Sequence, residues 1–356
     1  MIRLAIIGAG GMAAQHVRQF NAIDACEIVA VCDVAEDKAR AFAVEHAIPA
    51  VYAQLDEMLA RDDIDAVANV TPDAFHKPTS LAAIAAGKHV LCEKPLAIDA
   101  ADAWEMAEAA QRAGVINMIN LSYRDAPAIQ RARELVASGA IGRVMHVDAS
   151  YLQSWLVSNA WGQWHSDSQW LWRLSSEHGS KGVLGDVGVH ILDFASFPVG
   201  DVSHVNCRLK CFDKAPDNRI GDYSLDANDS ALIHVEFADG ALGSIHASRW
   251  ASGHLNSLRL GIHGDKGAIR VDLDASRDHL WTCFGDDVNA ACWSQVPCAP
   301  TPSIYQRFIR SIESGENDQP DFARGARLQA VLDACFEADA VDRTIRLPVN
   351  HSIQPA

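Results

Sequence analysis

Three short stretches of this 356-residue chain carry polar residues where a plain hydrophobic core would have none. The first is Glu93-Lys94-Pro95, directly after the apolar run His89–Cys92. The second is Gly185-Asp186-Val187-Gly188-Val189-His190-Ile191-Leu192-Asp193. If a helix starts near Asp186, its carboxylate and the His190 imidazole lie four residues apart on one face. The helix N-terminus then favours the ionised carboxylate. Alone, a lysine after a strand more often belongs to a solvated loop, and it is the place of Lys94 at a ligand-binding sheet edge that raises the functional reading. Taken alone, the second stretch reads equally well as an N-capping aspartate followed by a core histidine. The spacing also suits a metal pair, but no third ligand stands at a recognisable distance, so no metal is expected. The third stretch is Thr71-Pro72-Asp73-Ala74-Phe75-His76, after the apolar run Ala66–Val70.

A fourth pattern says what these residues work with. Gly8-Ala9-Gly10-Gly11-Met12-Ala13 follows a strand and opens a helix, in the form G-x-G-x-x-A. Gly8 permits the tight turn, Gly10 lets backbone approach a pyrophosphate, and Ala13 permits close helix–strand contact. The helix N-terminus supplies N–H donors and positive dipole to phosphates. Asp33 ends the next apolar run, about 20 positions on, where its carboxylate would accept hydrogen bonds from an adenosine ribose. Val34 follows where an arginine would suit a 2′-phosphate, and Asp33 would repel that phosphate. NAD is therefore expected over NADP, with Lys38 and Arg40 the nearest complicating charges.

The elements that must position these residues follow from the apolar rhythm. Runs at Leu4–Ile7, Ile28–Cys32, Ala66–Val70, His89–Cys92 and Val115–Ile119 alternate with helical patterns at Met12–Phe20, Glu36–His46, Pro78–Ala86 and Asp102–Ala113. Strands apolar on both faces, alternating with helices, imply a doubly wound parallel sheet. Such a sheet binds ligands at the carboxyl ends of its strands, where the glycine loop, Thr71 and Lys94 all emerge. A linking helix is predicted over Pro127–Ser138. Beyond it, runs at Arg143–Tyr151, His204–Phe212, Ser230–Phe237, Leu242–Trp250, Leu258–Gly264 and Ala268–Leu273, with turns at Asp239-Gly240 and Asp265-Lys266-Gly267, predict a large, mostly antiparallel sheet. Helices over Ile304–Ser314 and Ala326–Ala340 close the chain. The expected division is an α/β Rossmann domain over residues 1–122 and an α/β substrate-binding and oligomerisation domain over 123–356, with a C-terminal segment free to pack back on the first.

Composition limits the partners. The formal charge of −16 would repel a phosphate backbone, so nucleic acid is not expected. No apolar run reaches membrane-spanning length, and the apolar start is too short for a signal h-region. Nine cysteines, an odd number with no CxxC pair, read as reduced thiols in a cytoplasmic protein. Cys207 and Cys211, four apart, would share a strand face. The stretch Ser154–Gly182 is long, not clearly periodic, and holds Trp155, Trp161, Trp164, Trp170 and Trp172. Their faces suit the C–H side of a pyranose or cyclitol ring, with His165, Asp167 and Gln169 beside them for hydroxyls. Packing of the loop is the equal alternative. His204 and His351 are expected to be surface or core fillers.

The combination GAGGMA, VTP-x-x-x-H, GKHVLCEKP and GD-x-G-x-H-x-x-D resembles the Gfo/Idh/MocA oxidoreductases, in order and over essentially the whole chain. The resemblance implies a Rossmann domain followed by an α/β domain on a large sheet that makes subunit contacts, hence a homodimer or homotetramer. It implies a hydride transfer between a secondary hydroxyl of a sugar or cyclitol and NAD. The family's catalytic lysine, aspartate and histidine fall on Lys94, Asp186 and His190. In that role His190 accepts the hydroxyl proton, Lys94 donates to the reacting oxygen, and Asp186 orients His190 or a substrate hydroxyl. The implied cofactor contacts are Gly8, Gly10, Gly11, Met12, Asp33, Thr71, Pro72, His76, Glu93, Lys94 and the Trp172-Arg173 pair. The implied substrate contacts are Lys94, Asn120, Arg124, Trp161, Trp164, His165, Asp186 and His190. Ser180-Lys181-Gly182 departs from the glycine run of many members and brings Lys181 into consideration near the substrate. Two other activities fit the motifs: a glycosidase or lyase using transient oxidation by NAD, and a non-catalytic NAD-dependent sensor, against which the intact acid–base set argues.

Overall fold

The computed structural model describes residues 1–348, apart from the side chains of Ser168 and Gln169. His351 and the Gln169 side chain, both named above, lie outside what is described. The described chain divides into two compact units: Met1–Ser122 with Pro302–Gln329, and Tyr123–Thr301 with the described residues from Ala330 on.

The first unit runs β1 (Ile2–Ile7), α1 (Gly11–Phe20), β2 (Cys26–Cys32), α2 (Glu36–His46), β3 (Ala50–Tyr52), α3 (Leu55–Leu59), β4 (Ala66–Asn69), α4 (Asp73–Ala85), β5 (His89–Cys92), α5 (Ala100–Ala113) and β6 (Asn117–Ile119). Among the described residues these strands form one parallel sheet in the order β3-β2-β1-β4-β5-β6. The order turns back beside β1, so the carboxyl ends of β1 and β4 lie side by side at the switch point where such sheets bind ligands. Leu4, Ile6, Val31, Ala66, Ala68, Leu91 and Met118 form the buried centre. Strand β3 is absent from the sequence reading because its three residues are all half-buried and give no apolar run. Helix α4 begins at Asp73, five residues ahead of the predicted Pro78. Pro78 is the sixth residue of this helix, past the first turn, and its missing N–H leaves the Ala74 carbonyl without its intrahelical donor.

Residues from Pro302 onward complete this core. A capping box at Ser303 and Gln306 starts α10 of the chain's numbering, Ile304–Ser314. Its Tyr305 and Phe308 meet the ring of Phe20 on α1. The following segment covers the sheet edge: Asn317 Oδ1 accepts from the Asn117 amide at 2.8 Å, and the Pro320 carbonyl accepts from the Ile119 amide at 2.9 Å. An edge strand so paired offers no free ladder.

The second unit holds α6 (Pro127–Ala137), β7 (Val144–Gln153), α7 (Ser168–Leu171), α8 (Val189–Val199), β8 (Val202–Lys210), a small hairpin β9 (Arg219–Ile220) and β10 (Tyr223–Ser224), then β11 (Ser230–Phe237), β12 (Leu242–Ser248), β13 (Asn256–Gly264), β14 (Gly267–Asp272), β15 (His279–Phe284), α9 (Asp287–Ala290) and β16 (Ser294–Pro297). After α10, helix α11 (Phe322–Val341) and strand β17 (Ile345–Arg346) follow. The large sheet has the order β16-β15-β14-β13-β7-β12-β11-β8-β17, antiparallel except between β7 and β12. Helices α6 and α8 cover one face. On the other face the strand alternation leaves Leu232, His234, His146, Asp148 and Arg259 exposed. Strand β8 ends at Lys210, so Cys211 lies beyond it and does not share its face with the buried Cys207. All nine cysteines are free.

Phe308 is fully buried. Phe308→Ala should lower the unfolding free energy by about 3–5 kcal/mol, the usual cost of emptying such a site. Urea denaturation of the full chain measures this. A loss below about 1 kcal/mol would show that the first unit's core does not need the returning helix.

Candidate active site

In the first unit the glycine loop has the shape its sequence requires. Gly8 has φ +95°, and a Cβ there would stand 2.7 Å from the Val70 carbonyl oxygen, so conformation and space both demand glycine. A Cβ on Gly10 or Gly11 would meet nothing within 4 Å, so the loop backbone borders open space at the start of α1. That cradle, with the N–H groups of a helix N-terminus, fits a dinucleotide pyrophosphate. Ala13 is fully buried and Met12 is exposed. Asp33 Oδ2 accepts from the Ala9 amide of the loop at 2.9 Å, and Oδ1 accepts from the Ala35 amide at 3.0 Å. Lys38 Nζ lies 3.4 Å away. Burial would raise the Asp33 pKa, but the two amides and Lys38 outweigh it and keep the carboxyl below the usual range. Asp33 thus shapes the loop as well as standing where a ribose would bind.

The two polar stretches after β4 and β5 are fastened to each other. His76 is 1% exposed, and its ring nitrogens meet the carbonyl oxygens of Pro95 at 2.7 Å and Thr71 at 2.8 Å. Two acceptors call for a proton on each nitrogen. Burial opposes that charge, but Cys92, Asp73 and the Pro95 carbonyl raise the His76 pKa to about 9. His76, expected at the cofactor, bonds backbone through both ring nitrogens and so positions Thr71 and the Lys94-Pro95 turn. Asn69, the polar last residue of β4, completes this. Its Nδ2 donates to the His76 carbonyl, Thr79 and Ser80 at 3.0, 2.6 and 2.9 Å, and its Oδ1 accepts from the Thr71 hydroxyl at 2.7 Å. An asparagine inside an apolar strand was the available signal for it. Pro72 caps α4, and Lys94 precedes a cis peptide bond to Pro95.

Glu93 and Asn120, expected at the cofactor and at the substrate, bond to each other. Glu93 Oε1 meets His16 Nε2 at 2.8 Å and accepts from Asn120 Nδ2 at 2.6 Å, while Oε2 accepts from the Lys94 amide at 3.1 Å. Asn120 Nδ2 also lies 3.1 Å from the Tyr305 hydroxyl. Burial would raise the Glu93 pKa, but the bond and charge of His16, then Lys94 and Asn120, lower it to about 2. These side chains are buried at 7% and 4% exposure and hold α1, β5, β6 and α10 together from inside. His16, which the sequence reading passed over, sits among the apolar positions of α1 and looked like core.

In the second unit the Asp186 segment is helical earlier than expected. Leu184–Gly188 forms one π-helical turn that runs directly into α8, with helical backbone already at Val183. Asp186 is therefore not at a helix N-terminus, and the dipole argument for its charge does not apply. Arg249 supplies the charge instead: Nη2 donates to Asp186 Oδ2 at 3.1 Å. A π-turn inside a helix is a frequent mark of a functional position. His190, on the first turn of α8, is 8% exposed, with the Tyr123 ring edge-on at 5.0 Å. Tyr123, Tyr151 and Asn256 form a closed ring of hydrogen bonds at 2.6–2.7 Å. None of these, nor Arg249, had a sequence signal beyond residue type.

Arg124, expected at the substrate, is paired inside the second unit. Its guanidinium makes a bidentate pair with Asp193 at 2.7 and 2.6 Å, is 3% exposed, and stacks 4.1 Å from the Phe197 ring. Trp161 and Trp164 pack on a cluster of Trp155, Leu156, Leu171, Leu174 and Leu225, and the Trp164 indole N–H donates to the Leu156 carbonyl at 3.2 Å. Packing is the alternative these rings take. His165 is exposed beside them. Trp172 is 40% exposed with the Arg173 guanidinium 4.6 Å from its ring centre. Lys181 stands 5.8 Å from the Phe336 ring of α11.

Residues 2–121 match the family description "Oxidoreductase family, NAD-binding Rossmann fold", and residues 129–270 match "GFO/IDH/MocA C-terminal domain". The chain belongs to the Gfo/Idh/MocA oxidoreductases. It is an NAD-binding enzyme of that family. Levoglucosan dehydrogenase of Pseudarthrobacter phenanthrenivorans is 28% identical over 89% of this chain and 87% of its own length. D-apiose dehydrogenase of Paraburkholderia graminis is 27% identical over 99% of this chain and 91% of its own. A solved structure of levoglucosan dehydrogenase in complex with NADH and L-sorbose superposes with a TM-score of 0.86 at 26% identity, covering 98% of this chain and 99% of that one.

The His76 clamp gives a pH signature. Its folded pKa lies above the unfolded value, so its stabilisation is fully present below about 6.5 and is lost as pH rises through about 9. The stability advantage of wild type over His76→Gln, measured by urea denaturation, should shrink between pH 6 and pH 9.5. An advantage constant over that range would mean the ring sits neutral.

Proposed function

We propose that this enzyme oxidises a secondary ring hydroxyl of a sugar or cyclitol with NAD. The observation that carries the reading is His190, nearly buried in α8 one turn beyond a charge-paired Asp186, in a chain whose glycine loop is open for a dinucleotide. Bound NAD supplies the hydride acceptor. His190 takes the hydroxyl proton as the C–H bond breaks, and its edge contact with Tyr123 limits the ring to one orientation. Asp186 stays ionised beside it and balances the imidazolium that forms. Lys94 donates to the reacting oxygen, and His76 and Glu93 hold the backbone on either side of that lysine. The loop amides and Asp33 hold the pyrophosphate and adenosine ribose. Trp172, exposed and stacked on Arg173, is the aromatic face left for a ring. Self-association belongs to the same reading, because the open sheet face carries Leu232 and Leu242 at 59% and 57% exposure and a homodimer or homotetramer would cover them. Nine free thiols suit a reducing cytoplasm.

A panel of pyranoses, anhydrosugars and inositols with NAD and NADP, read by absorbance of the reduced cofactor, tests the proposal. NAD should be preferred, and Asp33→Ser should erode the preference. Lys94→Met and His190→Asn should each lower turnover by roughly 10²–10⁴ while NAD affinity by calorimetry is retained. For wild type, kcat/KM should fall toward acid pH as the base protonates. Near wild-type turnover in both folded variants would remove these residues from the mechanism.

A further inference from the structure

We propose that Arg249 is a positioning residue, its buried guanidinium keeping the Asp186 carboxylate charged and fixing it relative to the Trp172-Arg173 segment. The proposal rests on the reading of Asp186 and His190 given above. Arg249 directly follows β12 and is completely buried. A guanidinium without water is costly unless a carboxylate and further acceptors replace its hydration. Nη2 donates to Asp186 Oδ2 at 3.1 Å and Nη1 to the Arg173 carbonyl at 3.0 Å. Its own amide donates to the Asp229 carbonyl at 2.9 Å, and its guanidinium carbon lies 4.9 Å from the Trp155 ring centre. One planar, rigid group thus spans two segments that carry proposed site residues.

The asymmetry of burial separates this pair from the others. Lys214 and Asp229 are both 0% exposed, and Arg124 and Asp193 are 4% and 3% exposed. Those pairs are closed on both sides. Here the arginine is 0% exposed and the aspartate side chain 32%. The carboxylate is held by a buried partner and is itself partly exposed, as a group must be that stays charged while meeting a ligand. The charged and titratable groups around it include Arg249 after β12, His190 one turn along its own helix, and Tyr151 on β7, whose phenol is pushed up by burial, by Tyr123 and by Asp186. Arg173 and Asp229 act in turn on Arg249, whose pKa burial lowers and Asp186 supports.

Removing the guanidinium takes away a positive charge from both Asp186 and His190, so both should hold protons to higher pH. Arg249→Gln keeps a donor for the Arg173 carbonyl but not the charge, and Arg249→Lys keeps the charge. Two readouts apply: ¹³C NMR titration of labelled aspartate carboxyls, with Asp186 identified by its loss in Asp186→Asn, and the pH profile of kcat/KM. In Arg249→Gln the Asp186 midpoint and the acid limb should both move up by about one unit or more, the usual effect of losing a close opposite charge. In Arg249→Lys both should stay near wild type while kcat falls. The NMR titration decides the matter even if no sugar in the panel is turned over, a result that would sink the functional reading alone. A folded Arg249→Gln with an unmoved midpoint overturns the proposal. If only the lysine variant folds, an unmoved midpoint with reduced kcat supports it and a displaced midpoint overturns it. Failure of both to fold also overturns it, because the residue would then be a structural pin.

Discussion

A charge taken out of water costs several kcal/mol unless a partner and hydrogen bonds replace its hydration, and the site-bearing segments of this chain are arranged around buried charges that meet that condition. Arg124 reaches Asp193, three residues after His190, and so fixes α8 against the chain that enters the second unit. Lys214 reaches Asp229, and its ammonium also donates to the Phe212 carbonyl at 2.8 Å. Arg249 reaches Asp186. Each pair ties together two lengths of backbone within the second unit. Deleting one member would strand the other charge, which makes these positions intolerant of single substitutions in a way that an apolar contact is not.

The first unit applies the same constraint with uncharged partners added. Glu93 is kept ionised in the interior by His16 and Asn120, and the His76 ring is held by two carbonyl oxygens. The lysine between them is itself left at the surface of this network, with its amide bonded to Glu93 and the following proline carbonyl bonded to His76. For the donor role proposed above for Lys94, such a frame would fix the geometry before the substrate arrives.

Much of this was legible in the sequence, and the limits have physical causes. Period-two and helical runs located the strands and helices of both units, because burial on one or two faces writes itself into the apolar pattern. The glycine loop was legible because φ +95° at Gly8 and open space at Gly10 leave no other residue type. Strand β3 escaped because an edge strand half-buried throughout has no pattern to show. Strand β15 escaped because its run mixes His279, Trp281 and Thr282 with few aliphatic residues. What the sequence leaves open at the site is which way a polar side chain points. Arg124, Asn120, Glu93 and His76 were correctly singled out as unusual, but a residue that binds backbone or a buried partner and one that binds a ligand look alike in one dimension. Arg249 had no signal at all, since only the fold brings the end of β12 to the π-turn at Asp186.

The central claim is that hydride passes from a ring carbon of a sugar or cyclitol to NAD. The direct measurement uses the best substrate of the panel carrying deuterium at the oxidised carbon, with the reduced cofactor examined by NMR. The account predicts deuterium on one face of C4 of the nicotinamide in stoichiometric amount, and a slower turnover than with the unlabelled sugar where the C–H step is limiting. Label found in solvent instead, or substrate converted with no net reduced cofactor, would contradict it.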